Sequence, residues 1–409
     1  MKKILMSAFS CQPGKGSEPG VGWNWSVQAA KNAEVYVLTR SKMKPYIEAV
    51  ELPGDIANNI HFLYCDSSKR LRKCTIYLEY IHWQYVAYRY AKRLCKKIAF
   101  DYVWHITWGN MLLPTWMYKL PVAFIWGPVG GAEQVPKAFW DEFPLKNRII
   151  HQCKYYMGKG MRWIPWVIKP AKYARIIIAR TSATKELFPE IIREKVVVHL
   201  EACVIEEKDF SYPDDTGDIL DKGSGKNIIY TGRICDIKNL PVLIPVMAAV
   251  TKKFPDARLH IIGDGDMTPM LKRLTKENGL EKTVIFYGNV ERAKLLKAVN
   301  QSDIFVFPSL REGASWSLLE AMHFELPIVA FDTNGMHDTL SDESAILVPL
   351  EGKNPKEATE AFVQCTMLLM NMSNDKIKSL GKHAHERLSN VHSAKGVASF
   401  IEKMCNDPE

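Results

Sequence analysis

The chain has 409 residues, of which 47% are hydrophobic and 24% charged, and its formal net charge is +9. This composition is typical of a globular protein and excludes fibrous or disordered classes, and the length predicts two domains rather than one core. No apolar run approaches the ~20 residues that cross a bilayer. The start, Met1-Lys-Lys-Ile-Leu, lacks the longer apolar region of a signal peptide.

The charge is unevenly distributed along the chain. Residues 1–205 hold 30 Lys and Arg against 15 Asp and Glu, whereas residues 206–409 hold 24 against 30. A basic first half indicates an anionic neighbour, such as a membrane surface, a lipid phosphate or a nucleic acid. The nine cysteines are scattered without a C-x-x-C pair, which favours free thiols in a reducing cytosol over disulfides or a zinc site.

Apolar strand-like runs alternate with amphipathic helical segments in both halves of the chain. In the first half, the strand candidates are Lys3–Phe9, Glu34–Thr39, Ile60–Tyr64, Tyr102–Ile106, Val122–Trp126 and Ala174–Ala179. In the second half, they are Asn227–Thr231, Arg258–Ile262, Val284–Tyr287, Ile304–Phe307, Ile328–Phe331 and Ala345–Val348. This alternation predicts two parallel sheets, each covered by helices on both faces.

We therefore predict an α/β protein of two doubly wound Rossmann-like domains that face each other across a cleft. The first covers residues 1–210, completed by a C-terminal helix at 390–409, and the second covers 211–389. The join falls in the polar stretch at 205–225, which contains Gly and Pro. Ligands of such sheets bind beyond the carboxyl ends of the strands.

A glycine-rich segment, Cys11-Gln-Pro-Gly-Lys-Gly-Ser-Glu-Pro-Gly-Val-Gly-Trp23, follows the first strand. Its glycines permit close approach of the backbone to a ligand, and a helix is expected only from Trp23 to Asn32. The segment is neither a clean G-x-G-x-x-G nor a P-loop, so a dinucleotide or NTPase interpretation is weak. A flexible loop with no ligand remains an alternative.

His105 lies at the carboxyl end of the fourth predicted strand, in Phe-Asp-Tyr-Val-Trp-His-Ile-Thr-Trp. A histidine at the carboxyl end of a strand can hydrogen-bond a sugar hydroxyl near the reacting carbon. A lone histidine is equally compatible with a structural role, and the sequence leaves both possibilities open.

A cationic turn, Tyr-Thr-Gly-Arg233-Ile-Cys-Asp-Ile-Lys238-Asn, follows the first strand of the second domain. The guanidinium of Arg233 is planar and can donate two parallel hydrogen bonds, whereas Lys238 carries a compact ammonium charge. Both groups suit a diphosphate leaving group. The nearby Gly-Asp-Gly-Asp at 263–266 contains a D-x-D that could hold a divalent cation. Its position, between a strand and a helix, favours a turn with a helix cap.

Two glutamates, Glu312 and Glu320, stand eight positions apart where a strand turns through glycine into a helix. A helix N-terminus offers free N–H groups and a positive dipole end, which suit a phosphate. Glu320 lies five residues beyond Ser315, or roughly 7–8 Å along a helix axis. That distance suits the reach from a diphosphate to a ribose, so we assign Glu320 to a ribose and Glu312 to a sugar. The alternative is a pair of glutamates that flank a helix start, one of them as a cap.

These motifs, in this order, resemble the retaining glycosyltransferases of family 4, which have the GT-B fold. The resemblance is strongest from Tyr230 to about Leu340, where Gly232-Arg233, Lys238, Gly263-Asp-Gly, Glu312-Gly and Glu320-Ala-Met occur in sequence. The first half resembles a subgroup from bacterial polysaccharide clusters through Ser-Glu-Pro-Gly-Val-Gly at 17–22 and Trp-Gly-Pro-Val-Gly-Gly-Ala-Glu at 126–133.

The resemblance implies a role for each matched position. Arg233 and Lys238 would bind the donor diphosphate, Glu312 the donor sugar, Glu320 the ribose, and His105 the sugar from the first domain. The remaining donor-binding positions are Gly20, Gly22, Gly313, Ala314, Ser315, Trp316, Leu318 and Leu319. The N–H groups of Ala314 to Trp316 would touch the sugar, those of Leu318 and Leu319 the phosphates, and Gly22 would let the first loop approach the diphosphate.

The resemblance also implies the partners and the reaction. The donor would be a UDP- or GDP-sugar and the acceptor a glycan hydroxyl. Neither a metal ion nor another cofactor is expected. Cations and aromatics mixed at 146–173, and along the helix Tyr77–Lys97, indicate a cytoplasmic protein held peripherally on anionic membrane, with a lipid-linked acceptor. A solvated basic face is the alternative for those segments.

Three other functions are weighed against a transferase. A glycosidase would use Glu312 and Glu320 as its carboxylate pair but would leave Arg233 and Lys238 unexplained. A catalytically silent GT-B scaffold at the membrane would not need the charged set. A nucleic-acid binder would account for the basic half but not for the second-domain motifs, so no nucleic acid is expected as a partner.

Overall fold

The computed structural model describes residues 1–15, 17–160, 164–200, 207–313 and 315–406. Its contacts divide the chain into two compact units. The first comprises Met1–Glu133, Tyr155–Ile205 and Val391–Glu409, and the second comprises Gln134–Lys154 and Glu206–Asn390. Residues 134–154, expected in the first domain, therefore group with the second unit.

The first unit is built on a parallel sheet of seven described strands in the order β3-β2-β1-β4-β5-β6-β7. The strands are β1 Lys2–Ser7, β2 Ala33–Thr39, β3 Ile60–Tyr64, β4 Tyr102–His105, β5 Ala123–Val129, β6 Ala174–Ala179 and β7 Val196–Val198. The order reverses between β1 and β4, so the carboxyl ends of these two strands flank the switch point where ligands of such sheets bind.

The second unit has a parallel sheet of six described strands in the order β10-β9-β8-β11-β12-β13. The strands are β8 Asn227–Thr231, β9 Arg258–Ile262, β10 Val284–Gly288, β11 Ile304–Phe307, β12 Ile328–Asp332 and β13 Ala345–Pro349. The switch point lies between β8 and β11, the strands that precede the cationic turn and the two glutamates.

Helices connect most of the strands in both units. They are α1 Ser17–Ala29, α2 Lys44–Glu48, α3 Gly54–Asn59, α4 Ile76–Leu94, α5 Leu145–Gly160, α6 Pro165–Tyr173, α7 Ser182–Glu186, α8 Glu190–Arg193, α9 Leu243–Lys253, α10 Thr268–Glu277, α11 Arg292–Asn300, α12 Trp316–His323, α13 Met336–Thr339, α14 Pro355–Met370, α15 Asn374–Arg387 and α16 Ala394–Asn406. None of those described is long and apolar enough to cross a bilayer.

The strands are buried because helices cover both faces of each sheet. Trp25, Trp83, Trp104 and Trp126 are fully buried in the first unit, and Trp25 packs edge-on against Trp104. Helix α16 packs on α1, where Phe400 also meets the Trp25 ring, at a centroid distance of 6.3 Å. The C-terminal stretch therefore contributes to the core of the first unit.

All twelve strand candidates correspond to observed strands, and the two-sheet α/β class is confirmed. The strand β7 was not predicted. Helix α1 begins at Ser17, six residues before the predicted start at Trp23, so Gly20 and Gly22 lie within a helix and not in a loop. The expected loop is therefore wrong for these two positions.

Candidate functional site

The corner after β11 brings Glu312 onto Lys238, from the turn after β8. The Lys238 ammonium donates to Glu312 Oε2, and each side chain is 14% exposed. Ser309 Oγ lies 3.4 Å from the same carboxylate oxygen, and the Lys238 ammonium lies 4.8 Å from the centroid of the Phe307 ring. Two of the predicted residues thus form a half-buried ion pair at the carboxyl ends of adjacent strands.

Arg233 lies in the same turn but has a different environment. Its side chain is exposed, and within the part of the chain that the structure describes no carboxylate pairs with its guanidinium. Its carbonyl accepts a 3.1 Å hydrogen bond from the Tyr230 hydroxyl, which fixes the backbone of the turn. Arg233 therefore presents an uncompensated positive charge beside the neutralised Lys238–Glu312 pair.

The Gly263-Asp-Gly265 turn supports the Arg233 turn by direct backbone contact. A Cβ atom at Gly263 would lie 2.0 Å from the Gly232 carbonyl oxygen, and one at Gly265 would lie 2.1 Å from that of Ile234. The Asp264 carboxylate accepts hydrogen bonds from Thr268 Oγ1 at 2.7 Å and Gly265 N at 2.8 Å. These bonds, the Thr268 bond first, lower the Asp264 pKa and hold the turn. Helix α10 begins at Thr268 without a side-chain cap, so the expected turn is present but the expected helix cap is wrong.

This packing yields a prediction with a matched control. Gly263→Ala should destabilise the second unit, because both the positive φ of +131° and the close approach to Gly232 exclude a side chain. Gly279→Ala shares a positive φ, +67°, but its Cβ would meet nothing within 4 Å. We expect about 1–3 kcal/mol from the backbone strain in each and about 1–3 kcal/mol more at Gly263 from overpacking. Denaturant unfolding of the two variants measures the difference, and equal losses would contradict the packing role.

Helix α12 begins at Trp316, directly after Ser315. The first-turn N–H groups of an α-helix have no intrahelical acceptor, and the dipole makes this end positive. The Ser315 side chain makes no capping bond to these N–H groups, and its hydroxyl instead lies 2.9 Å from that of Ser317. Leu318 and Leu319 are fully buried, and the Leu319 N–H donates to the Ser315 carbonyl at 3.2 Å, so this N–H is already used within the helix and is not free for a phosphate.

Glu320 is buried, with 3% of the residue exposed, and it pairs with Arg292 at the start of α11. The Arg292 guanidinium donates one hydrogen bond to Glu320 Oε1 and another, of 3.2 Å, to the Asp209 carbonyl. Burial raises the pKa of Glu320, and the charge and hydrogen bond of Arg292 oppose that rise. No described residue donates a hydrogen bond to Oε2, which therefore remains as an acceptor for a ligand hydroxyl.

Gly20, Gly22 and His105 belong to the first unit. A Cβ atom at Gly22 would lie 2.0 Å from the Ser10 carbonyl oxygen, and one at Gly20 would lie 2.0 Å from that of Lys15. These two glycines are therefore needed for contact between α1 and the preceding segment of the same chain. The structure thus provides a packing reason for them, and their assignment to the donor stays a prediction.

The His105 ring is 1% exposed and faces two side chains of α4. Its Nε2 lies 3.5 Å from the Tyr80 hydroxyl, and its Nδ1 lies 3.3 Å from Gln84 Nε2. Burial lowers the pKa of His105 to about 3, so the ring is neutral at pH 7. The ring nitrogens thus have partners within the first unit, and a role at the donor sugar stays a prediction.

The low pKa of His105 predicts a contribution to acid sensitivity. The unfolded chain, with a pKa near 6.5, takes up a proton in acid that the buried ring does not, so stability falls as pH drops below 6.5 towards about 3. At pH 5 we expect about 2 kcal/mol of loss relative to pH 7 from this group. Urea unfolding of wild type and His105→Gln at both pH values measures it, and parallel pH profiles would contradict the assignment.

Sequence reasoning missed one element that reaches the cationic turn. Asn147, on α5, donates a 2.6 Å hydrogen bond from Nδ2 to Asp236 Oδ2, between Arg233 and Lys238 in the chain. One turn further on, His151 is buried, and its pKa is lowered by burial and then by the positive charge of Arg311. Helix α5, from the first half of the sequence, therefore supports the loops around Glu312, and no sequence spacing indicates this contact.

Several predicted positions lie outside the described residues. These are Ala314 in the donor-binding corner, Gly16 in the glycine-rich segment, residues 161–163 of the basic aromatic segment, and residues 205 and 206 at the start of the predicted domain join. Among the residues that are described, no group of three or more His, Cys, Asp or Glu side chains is arranged to hold a metal ion.

Comparison with known proteins supports a relationship through the second unit. Residues 225–367 match the family model described as "Glycosyl transferases group 1". An alpha-D-kanosaminyltransferase of Streptomyces kanamyceticus is 30% identical over 123 residues, which are 30% of this chain and 32% of that protein. The chain spans about a third of the length of the curated relatives it matches.

Solved structures share the fold across nearly the whole chain. A glycosyltransferase of Rickettsia africae superposes with a TM-score of 0.61 and 14% identity, over 100% of this chain and 99% of that one. HepE of Anabaena, solved in complex with UDP, gives a TM-score of 0.59 and 14% identity over 99% of each chain. The GT-B fold expected from the sequence is thereby confirmed.

Proposed function

We propose that this chain, whose residues 225–367 match the family model of group 1 glycosyl transferases, is a retaining glycosyltransferase of family 4 type. It moves a sugar from a UDP- or GDP-sugar to a hydroxyl of a glycan acceptor. The observation that carries the proposal is the Lys238–Glu312 pair at the strand-to-helix corner, with the α12 N-terminus and buried Glu320 beyond it. The UDP complex of HepE, which has a similar fold, supports a nucleotide-sugar donor.

The ion pair suggests how the donor engages the corner. A diphosphate placed near Lys238 offers the ammonium a stronger charge-assisted partner than Glu312. Glu312 is then freed to accept hydrogen bonds from donor-sugar hydroxyls, and its negative charge stabilises positive charge that develops at the anomeric carbon. Exposed Arg233 supplies a second cation for the diphosphate without first breaking an ion pair.

The reaction transfers one sugar with its anomeric configuration retained. The bond between the anomeric carbon and the phosphate oxygen breaks, and its electron pair leaves with the nucleoside diphosphate. The acceptor oxygen attacks from the same face, and its proton passes to the leaving phosphate. Arg233, Lys238 and the start of α12 stabilise the departing negative charge. We propose that these groups suffice without a metal ion or other cofactor, so the rate should be unchanged when EDTA replaces added Mg²⁺.

A nucleotide-sugar panel tests the donor assignment. A ligand that binds only the folded protein stabilises it by about 2.7 kcal/mol at a hundredfold excess over Kd. UDP, GDP and their sugars should therefore separate into one series that raises the unfolding midpoint and one that does not. No shift with any of them would favour a glycosidase, whereas a shift without sugar transfer to any glycan acceptor would favour a silent scaffold.

We further propose that the acceptor is lipid-linked, in surface polysaccharide synthesis, and that the protein works peripherally on the cytoplasmic face of the membrane. The basic first half supports this proposal, since anionic lipids attract Lys and Arg near the surface. Trp166 and Tyr173, on α6, are 51% and 68% exposed, as expected of side chains at the headgroup level. Transfer to a lipid-linked glycan in vesicles, compared with the same glycan released from its lipid, tests the acceptor.

A further inference from the structure

Helix α4 carries large apolar side chains on its outward face. Tyr77, Ile81 and Tyr85 are 59%, 37% and 44% exposed, and their spacing of four residues places them in one stripe. Leu78 and Ile76 beside them are 49% and 38% exposed. Surface helices ordinarily direct polar residues outward, so this apolar stripe calls for a partner.

The stripe is not needed for the core of the first unit, because the opposite face of α4 already packs inward. Tyr80, Trp83, Ala87 and Ala91 are fully buried on that face. Its only acid, Glu79, is buried and paired with Arg40 at 3.2 Å. Helix α4 therefore has two apolar faces, one buried in the unit and one largely exposed, where the Tyr77 ring still meets that of Trp108 at a centroid distance of 5.8 Å.

Exposed cations flank the stripe at both ends. They are Lys69, Arg70, Arg72 and Lys73 before the helix, and Arg89, Lys92, Arg93, Lys96 and Lys97 at and beyond its last turns. In the part of the chain that is described, Arg72 alone among these has a carboxylate within 4 Å, on Asp66 at 3.9 Å. Glu79 is the one acidic residue from 67 to 97, and it is buried, so the exposed surface here is strongly positive.

Neighbouring aromatic side chains extend the same surface. The Tyr85 ring meets that of Trp116, at a centroid distance of 6.2 Å. Trp166, on α6, donates its indole N–H to the Leu112 carbonyl at 3.1 Å, so the segment after β4 contacts both helices. Trp and Tyr, with an apolar ring and a polar edge, are the side chains enriched at membrane interfaces.

We infer that the outer face of α4 is the membrane-contact surface of the first unit: Tyr77, Leu78, Ile81 and Tyr85 enter the headgroup region, and the flanking cations bind anionic headgroups. An apolar stripe with cations at its ends fits a helix that lies in the plane of an anionic bilayer. A polyanion such as nucleic acid would match the cations but leave the apolar stripe in water. The inference deepens the membrane part of the proposed function by naming the surface and its lipid class.

Vesicle sedimentation without any nucleotide sugar tests the surface. We expect wild type to bind phosphatidylcholine vesicles that contain phosphatidylglycerol, and to bind vesicles of phosphatidylcholine alone at least tenfold more weakly. The variant Tyr77→Ser/Ile81→Ser/Tyr85→Ser should lose about tenfold or more of its partition coefficient. Its matched control, Ile191→Ser/Leu368→Ser, removes apolar side chains that are 81% and 56% exposed elsewhere, and should bind like wild type.

Charge reversal of the flanking cations tests the surface in a second, independent way. Lys92→Glu/Arg93→Glu should lower binding to the anionic vesicles about tenfold or more, whereas Lys376→Glu/Lys378→Glu, on exposed positions of α15, should not. Thermal shifts with UDP and GDP compounds, measured on each variant, show that the fold persists and report the donor assignment separately.

Three results would overturn the inference. One is equal vesicle binding by wild type and the triple serine variant. Another is loss of binding by the charge-reversed variant alone, which would mean attachment by charge without insertion of the stripe. The third is a concentration-dependent dimer in sedimentation velocity that the triple variant abolishes, which would assign the stripe to a second copy of the chain.

Discussion

Glu312→Ala is expected to lower kcat by roughly 10²–10³-fold, and Lys238→Ala by a similar factor, while the protein remains folded. The two side chains are paired at the strand-to-helix corner and lie near the carboxyl ends of β8 and β11. Removal of Glu312 takes away the negative charge proposed to face the anomeric carbon. Removal of Lys238 takes away a cation proposed to stabilise the leaving diphosphate. Steady-state transfer assays with saturating donor measure both effects.

The two substitutions should differ in their effect on donor binding. Lys238 contacts the diphosphate in both the bound donor and the transition state, so Lys238→Ala should also raise the donor KM. Glu312→Ala should change KM less, because its charge matters most when positive charge develops at the sugar. Glu312→Gln retains hydrogen bonding without the charge and should recover donor affinity but not kcat.

Lys272 offers a matched control for Lys238. Its ammonium also lies over a phenylalanine ring, 5.6 Å from the centroid of Phe286, compared with 4.8 Å from Phe307 for Lys238. Lys272→Ala should leave kcat unchanged, which separates loss of a cation near an aromatic ring from loss of the proposed catalytic charge. A wild-type kcat in Glu312→Ala or Lys238→Ala would remove the corner from the mechanism.

The sequence predicts the parts of this site that follow from strand periodicity and local spacing. Parallel strands bury both faces, so their apolar runs stand out, and the residues that follow them fall at one edge of the sheet. This is why Lys238 and Glu312, 74 positions apart, could be assigned to one site before the structure. Strand β7, Val196–Val198, was missed because three residues are too short to show a periodicity.

Contacts between distant segments could not be predicted in the same way. Arg292 begins α11 like an ordinary solvated cation, and only the fold places it on Glu320. Asn147 lies in a basic aromatic stretch that suggested membrane, yet it holds Asp236 in the cationic turn. Gly22 suggested a flexible ligand-binding loop, whereas the helix there requires glycine for its own contact with Ser10. In each case the tertiary partner, and not the local pattern, determines the role.

Glu320→Gln is expected to weaken donor binding by roughly 10- to 100-fold, since a hydrogen bond to a charged group contributes about 1.5–3 kcal/mol. The carboxylate has one oxygen on Arg292, and the other is available to ribose hydroxyls. Glutamine retains the shape but loses the charge, and its NH₂ group cannot accept. The loss should appear in the Kd for the nucleoside diphosphate alone, measured by calorimetry, because the ribose belongs to the nucleotide and not to the transferred sugar.

The environment of Glu320 also predicts how nucleotide binding depends on pH. Burial raises its pKa above the ordinary carboxyl value, although Arg292 limits the rise. A protonated carboxyl is a poorer acceptor for two hydroxyls, so nucleotide affinity should fall as pH drops through this raised pKa. The Glu320→Gln variant lacks this titrating carboxyl, so its weaker nucleotide affinity should change less with pH over the same acid range.

A matched control for this prediction is Glu357→Gln. Glu357 is likewise a helix glutamate, but its carboxylate completes the capping box at the start of α14 and lies on exposed surface. Glu357→Gln should leave the nucleotide Kd, and the fall in nucleotide affinity at low pH, as in wild type. If the nucleotide affinity of Glu320→Gln falls at low pH as it does in wild type, the titrating group lies elsewhere. If the variant also keeps wild-type affinity, the buried carboxylate serves only to anchor Arg292 and its bond to the Asp209 carbonyl.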